Sequence, residues 1–396
     1  MTVTTPRGFR AAGVAAGIKT SGADVAVVIN DGPARAAAGV FTGNRVKAAP
    51  VLWSQQVLAG GAVRGVVLNS GGANACTGPA GFADTHHTAE YLAKAMSAAA
   101  PAAAAGTADA DVAPGEIAVC STGLIGDRLP LDKLLAGVDA GVAAASPDGG
   151  RAAADAIRTT DTVPKTCVVT GDGYVIGGMA KGAAMLAPAL ATMLVVLTTD
   201  ADLPAAGLDA ALRGAVRQTF DRLDTDGCMS TNDTVLLLAS GATGARPDLA
   251  EFTRLVTVAC ADLARQMQQD AEGSSKSIAI EVTGAASEAD AVVVGRAIAR
   301  SNLLKCALHG EDPNWGRVLA AVGTTDAAFE PDQLDVAING VWVCRDGAAA
   351  ADRSGVDLTA RAISIVVDLR AGPASATILT TDLTAEYVYE NSAYAT

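Results

Sequence analysis

The sequence predicts an α/β protein whose core is packed from small side chains. Short β-rich runs alternate along the chain with stretches whose apolar residues recur at helical spacing, without the regularity of repeated βαβ units. Half of the residues are hydrophobic but only 4% are aromatic, and 42 are glycine, so the core has to come from Ala, Val, Leu and Ile at close backbone approach. At 396 residues the chain is long enough for two domain-sized units or one large α/β body.

Taken in order, AVVIN (26–30), AAGVFT (37–42), RGVVLNS (64–70) and EIAVCST (116–122) read as strands. A helix is expected from Thr88 to Ala100, and the anchorless run from Ala98 to Asp111 reads as a surface connection. Helices follow over Leu131–Ala145 and 150–158, separated by the turn SPDGG. KTCVVTGDGYVIGG, from Lys165, has two β-rich runs around GDG and predicts a hairpin. TMLVVLTTD is the next strand. Leu208, Leu212, Val216, Phe220 and Leu223 mark one face of an amphipathic helix, and Leu249, Phe252, Val256, Leu263 and Met267 mark another. In KSIAIEV, Ile278, Ile280 and Val282 alternate as a half-buried strand, and Ser287 is a candidate N-cap for a helix ending near Arg300. VAINGVWVC, AISIVVDL and ATILTTDLT supply further strands with hairpin-like spacing.

Several function classes fall away. A net charge of −13 argues against nucleic acid or an anionic membrane as the main partner. The N-terminal MTVTTPRGFR has no apolar signal core, and no later run is long enough to span a bilayer, so a cytoplasmic location is expected. The seven cysteines are scattered, odd in number and without a CxxC pair, which reads as buried free thiols in a reducing compartment. There is no GxGxxG after a strand and no GxxxxGK[ST], which removes support for dinucleotide and P-loop sites. No metal or prosthetic group is implied.

Only three histidines are present, and His86 and His87 are adjacent. A Ser/His/Asp or Cys/His arrangement stays open through His87 or His309, though no GxSxG elbow accompanies it. Another source of base is an N-terminal threonine, whose α-amine titrates near ~7.7 and can take the proton of its own hydroxyl. Thr192, in APALATMLVVLTTDAD, is internal and gains that amine only if the Ala191–Thr192 bond is broken. The duller alternative is that Thr192 begins a core strand.

The segment KGAAMLAPALATMLVVLTTDA (181–201) closely resembles the junction of the ArgJ-type ornithine acetyltransferases, also called glutamate N-acetyltransferases. Supporting blocks stand in family order: GFRAAGVAAGIK at 8–19, NSGGANACTG at 69–78, CSTGLIG at 120–126, RTTDTVPK at 158–165, DGCMSTNDT at 226–234, EDPNWGR at 311–317 and the final ENSAYAT. They span nearly the whole chain. Ala184 stands where the family commonly has glycine, and Ala189 and Leu190 replace a common Asn-Met pair; no reactive group is lost.

The resemblance implies an N-terminal-nucleophile-like layered α/β fold of the ornithine acetyltransferase/DmpA type. The chain would cleave itself between Ala191 and Thr192 into an α chain (1–191) and a β chain (192–396), assembled as a heterotetramer of two α and two β. The implied reaction is ping-pong acetyl transfer through an acetyl-threonine, from N2-acetylornithine to L-glutamate with release of ornithine, and acetyl-CoA as a further donor. Thr192 would be the nucleophile, and Thr122 and Gly123 the oxyanion hole. Thr159 (or its neighbour Thr160), Lys181, Thr192, Glu272, Asn391 and Thr396 would bind substrate, which requires the C-terminal tail to fold back into the site. Asn232, Asp233, Asn314 and Arg317 lie in polar blocks and receive no role beyond shaping turns. Two rivals remain at this point: a self-processed aminopeptidase or amidase with water as acceptor, and an uncleaved binding protein for small amino acids.

Overall fold

The computed structural model describes residues 2–99, 111–186 and 193–393. Strands β1 (Phe9–Val14), β2 (Val25–Asn30) and β3 (Ala37–Phe41) are followed by helix α1 (Ala49–Ala59), β4 (Gly65–Gly72), α2 (Gly78–Ala98) and β5 (Ile117–Leu124). Helices α3 (Leu131–Ala144) and α4 (Gly150–Ala156) lead to the antiparallel hairpin of β6 (Lys165–Thr170) and β7 (Val175–Lys181), then to β8 (Leu194–Thr199). Next come α5 (Ala205–Gln218), β9 (Thr234–Ala239), α6 (Leu249–Gln269), β10 (Ser277–Ala285), α7 (Glu288–Ala299), α8 (Asn302–His309) and α9 (Trp315–Val322). Strands β11 (Asp335–Ile338), β12 (Val341–Arg345), β13 (Ala348–Ala349), β14 (Ala362–Asp368) and β15 (Ala374–Thr381) precede α10 (Ala385–Ala393).

Among the described residues the strands form three sheets, ordered β1-β2-β4-β5, β3-β9-β8-β7-β6 and β13-β12-β11-β14-β10-β15. Small residues let the layers close. A Cβ on Gly137 of α3 would meet Val25 of β2 at 2.8 Å, so the helix lies directly on the first sheet. The second sheet is buried on both faces: Leu194 and Val196 of β8 join the apolar cluster of the first sheet, while Val195 and Leu197 join that of α5 and α6. A strand covered on both sides needs no polar alternation, which is why LVVL is a continuous apolar run. The resulting α/β/β/α layering agrees with the layered fold that the family resemblance implies.

The third sheet packs one face on α7, α8 and α9, with Ile278, Ile280, Val282, Ile363, Ile365 and Val367 inward and Glu281 and Ser364 outward. It is tied to the second layer by Gln268 of α6, whose amide nitrogen donates to the carbonyls of Ile278 (2.9 Å) and Thr380 (2.7 Å).

Residues 1–191 and 192–396 do not divide into separate bodies. The second sheet takes β3, β6 and β7 from the first half and β8 and β9 from the second, and β7 pairs directly with β8 from Ile176↔Thr199 to Lys181↔Leu194. Cutting the connection between them would leave the two pieces joined by a full ladder of backbone hydrogen bonds.

Several expectations need correction. Helix α2 begins at Gly78, ten residues before the expected start; its buried face uses Gly81, Asp84, Thr85 and Thr88, which carry no apolar periodicity. The run through Leu223 is not one helix, because Thr219 leaves helical geometry and Phe220–Arg222 form a 3₁₀ turn. The cysteines are free, but Cys76, Cys228 and Cys306 are exposed rather than buried. Helices α1, α8 and α9 were not anticipated. Most of the expected connection from Ala98 to Asp111 lies outside the described residues. Among the described residues no helix is long and apolar enough to cross a membrane.

Candidate active site

The first wall of the site is the end of β5. Thr122 is buried, and the strand is steadied from two sides: Ser121 Oγ donates to Asn69 Oδ1 at 2.6 Å, and Asn232 Nδ2 donates to the Ser121 carbonyl at 2.8 Å. The same Asn232 nitrogen donates to the Ala73 carbonyl at 2.6 Å, clamping β5 to the loop after β4. Gly123 has φ +131°, and a Cβ there would meet Gly72 N at 2.4 Å. Only glycine is accommodated at this bulge.

Lys181, the last residue of β7, lies buried across from it, with Nζ 3.5 Å from Thr122 Oγ1. Burial lowers the Lys181 pKa, while the charge of Asp161 opposes that shift. Asp161 is itself buried and accepts from Lys165 Nζ (2.6 Å) and from the Gly182 amide (2.7 Å). Burial works against its charge, yet Lys181 and Lys165 hold the carboxyl below its ordinary range. Lys165 also reaches Asp270 at 2.6 Å. This buried network holds the loop that carries Thr159 and Thr160, and the Thr159 amide donates to Asp161 Oδ2 at 3.2 Å.

Ala191 and Thr192 lie outside the described residues, but both flanks of the junction are fixed to one segment, residues 224–234. Upstream, the Met185 amide donates to Asp226 Oδ2 at 2.7 Å, and the Leu186 carbonyl accepts from the Thr225 amide at 2.6 Å. Downstream, the Met193 amide donates to Asp233 Oδ1 at 3.0 Å, and the Met193 carbonyl accepts from the Thr234 amide at 3.1 Å. Asp233 is fully buried, and that burial raises its pKa well above the carboxylate range against the pull of Lys181.

The third wall comes from beyond α6. The Glu272 amide donates to the Ala183 carbonyl at 2.9 Å, which sets the residue beside the segment leading to the junction. The C-terminal tail is a helix here, α10. Its Asn391 Nδ2 donates to Glu272 Oε2 at 2.9 Å, and the Thr384 hydroxyl anchors the helix start on the Gly273 carbonyl at 2.6 Å. Thr396 lies outside the described residues.

Thr122, Gly123, Thr159, Thr160, Lys181, Glu272 and Asn391 line one pocket together with Ala184 and Met185. Thr159 and Thr160 both face it, so the choice between them is not made by position. The pocket offers a cation, a hydroxyl, a backbone N–H and a carboxylate within one small volume. That set suits a zwitterionic amino acid with a carbonyl to be attacked.

The histidines are elsewhere. His86 stacks on Trp53 with centroids 4.8 Å apart, and His87 lies edge-on to Tyr91. His309 Nδ1 faces both Asp382 (3.0 Å) and Ser275 Oγ (3.2 Å). Serine and aspartate on one ring nitrogen cannot form a relay, which needs one partner on each. Among the described residues no cluster of His, Cys, Asp and Glu could hold a metal ion. Asn314 and Arg317 belong to the α8–α9 corner: Asn314 Nδ2 bonds Asp312 at 2.9 Å, and Arg317 bonds the Leu303 carbonyl at 2.5 Å. Asn232 and Asp233, by contrast, brace the pocket and the junction, a role that sequence reasoning missed along with Asp161, Lys165 and Asp226. The density of Asp, Asn, Ser and Thr in DGCMSTNDT was the available signal.

Known proteins match the chain along almost its whole length. The ArgJ family model matches residues 10–396. The chain is similar to the arginine biosynthesis bifunctional protein ArgJ of Thermobifida fusca, 66% identical over 397 residues with 100% of both chains covered. The protein of the same name from Streptomyces avermitilis is 65% identical over 396 residues, again across both chains. A solved ornithine acetyltransferase from Mycobacterium tuberculosis, complexed with ornithine, is 57% identical over 49% of this chain and 96% of that one, with a TM-score of 0.42. The chain therefore belongs to the ArgJ family.

Proposed function

We propose that this chain moves the acetyl group of N2-acetylornithine to L-glutamate in arginine biosynthesis, with Thr192 as the nucleophile after self-cleavage at Ala191–Thr192. The observation that carries the reading is the convergence of Thr122, Gly123, Lys181, Glu272 and Asn391 on one pocket beside the two anchored flanks of residue 192.

The residues divide the work by chemistry. The freed α-amine of Thr192 takes the proton of its own hydroxyl, and the hydroxyl attacks the N-acetyl carbonyl of the donor. The Thr122 hydroxyl and Gly123 N–H stabilise the oxyanion that forms, by about 3–4 kcal/mol for one well-placed donor. Lys181 holds the α-carboxylate common to acetylornithine and glutamate, and Glu272, oriented by Asn391, holds an amine. Ornithine leaves, glutamate enters the same pocket, and its α-amine takes the acetyl group from the threonine. One pocket serves both partners because they share an amino-acid backbone.

Acetyl-CoA as a second donor, an assembly of two α and two β chains, substrate contacts from Thr159 and Thr396, and a cytoplasmic setting belong to the same proposal. The interleaving of both halves in the second sheet supports the pairing of each α chain with its β chain, since neither half builds that sheet alone. The free cysteines support the location.

The test is to supply acetyl-labelled N2-acetylornithine with and without glutamate and follow the label. Label in N-acetylglutamate, with little free acetate, is expected. Label released only as acetate would make the protein a hydrolase and overturn the transferase reading.

A further inference from the structure

We propose that the cavity between the start of α8 and α10 binds a small organic carboxylate through Arg300 and Lys305. It has a volume of about 410 Å³, within the range of small-molecule pockets, and none of its residues lines the pocket of Thr122 and Lys181. The proposal does not depend on the acetyl-transfer reading.

The carboxylates of this cavity are spent and its cations are not. Asp226 accepts from the Met185 amide (2.7 Å) and the Cys228 amide (3.0 Å), and the Tyr387 hydroxyl bonds the same carboxyl. Asp382 Oδ1 accepts from the Ser275 and Lys276 amides at 3.0 and 2.9 Å. Its Oδ2 accepts from the Ser275 hydroxyl and faces His309 Nδ1 at 3.0 Å. Lys305 is 4% exposed, and its Nζ donates to the Thr225 carbonyl and to Thr380 Oγ1 at 3.2 Å. An ammonium has three N–H groups, so one is left over. Lys305 forms no ion pair among the described residues; Asp226, Asp224 and Asp382 act on its charge only from a distance. Arg300 uses Nε on Asp224 at 2.7 Å, and neither of its Nη atoms has a partner among the described residues.

An unpaired ammonium this deeply buried costs stability, and an anion beside it offsets that cost. With its pKa pushed down to about 8 by burial, Lys305 is still largely charged at neutral pH. A carboxylate suits both cations, because its two oxygens match the open edge of a guanidinium. Ala299, Leu383 and Tyr387 add apolar surface for a short carbon chain, and an inorganic ion would fill only part of the volume.

The experiment is isothermal titration calorimetry with glutarate, which carries two carboxylates and no amine to be acetylated. Lys181→Met serves as the background, since it removes the carboxylate contact of the other pocket. It is titrated alone, with Asn302→Asp and with Lys305→Met, each variant being checked by thermal melting. Asn302 is exposed at the first turn of α8 and lines the cavity, so aspartate there is tolerated by the helix while it repels an anion. Glutarate should bind Lys181→Met at one site per chain, and both cavity substitutions should weaken that binding at least ~10-fold, the loss of one charged contact. If Lys305→Met does not melt cooperatively, Asn302→Asp decides. No binding to Lys181→Met, or binding that the cavity substitutions leave unchanged, overturns the proposal. Inorganic phosphate is titrated in parallel: phosphate binding that depends on the cavity residues, without glutarate binding, would overturn the carboxylate class.

Discussion

The second and third sheets are built to different rules. The second is covered on both faces, carries Lys181 at the end of β7, and contains both strands that flank the junction, β7 and β8. The third has one face on its helices and the other toward solvent, and it reaches the site through α10, which follows its last strand. A layer buried on both sides holds a strained or reactive element rigidly, because every displacement disturbs two packed faces. A one-sided layer can deliver a contact without fixing it so firmly. Substitutions on the second-sheet side should therefore have the larger effects, on chemistry or on substrate binding, and those reaching in from the third should weaken binding only modestly.

The largest effect is expected at Gly123, which faces the second sheet across the pocket. Gly123→Ala forces a Cβ against Gly72 N and displaces the N–H proposed for the oxyanion. The initial rate of acetyl transfer should fall about 10²–10³-fold, the range for loss of one such donor. A rate near wild type would remove residue 123 from the mechanism.

Lys181→Met comes next. Loss of a charged contact of roughly 1.5–3 kcal/mol raises KM for both acetylornithine and glutamate by about 10–100-fold. Steady-state kinetics with each substrate varied checks this, and a change confined to one of them would contradict a shared carboxylate site.

On the third-sheet side, Lys305 of α8 is buried, and its pKa is pushed down from 10.5 to about 8. The unfolded chain therefore holds that proton to higher pH than the folded one. Below about pH 8 the cost of the buried charge is present in full, and it is relieved as pH rises toward 10.5. Relative to Lys305→Met, wild type should gain about 2 kcal/mol between pH 7 and 9.5, read from urea midpoints. An unchanged difference would mean that the lysine is not desolvated.

The smallest effect belongs to α10. Asn391→Ala removes one solvent-exposed hydrogen bond to the Glu272 carboxylate, worth about 1 kcal/mol, and should raise KM roughly fivefold with kcat nearly unchanged. A large fall in kcat would show that the tail takes part in the chemistry and blur the contrast between the sheets.

The same contrast explains what was legible in the sequence. Ile278, Ile280 and Val282 alternate because their strand is half exposed, so the third sheet could be read by period. LVVL could be read as a strand only by length and flanks, because both of its faces are covered. The first half of α2 was lost because its buried face is glycine, aspartate and threonine. Thr122, Gly123, Lys181, Glu272 and Asn391 came from resemblance to a family rather than from any pattern of spacing. Asp161, Asp226 and Asp233 stayed hidden for a physical reason: they act on backbone amides 21, 41 and 40 positions away. The polar density of DGCMSTNDT marks the segment that carries Asp226 and Asp233, but partners so far along the chain do not show in local spacing.

The central claim is that Thr192 becomes an N-terminal nucleophile that carries the acetyl group. Its most direct test is the intact mass, under denaturing conditions, of wild-type protein incubated with N2-acetylornithine and no acceptor. The account predicts two chains, with the one beginning at Thr192 heavier by a single acetyl group that disappears when glutamate is added. A single full-length chain, or an acetyl group on any other residue, would contradict it.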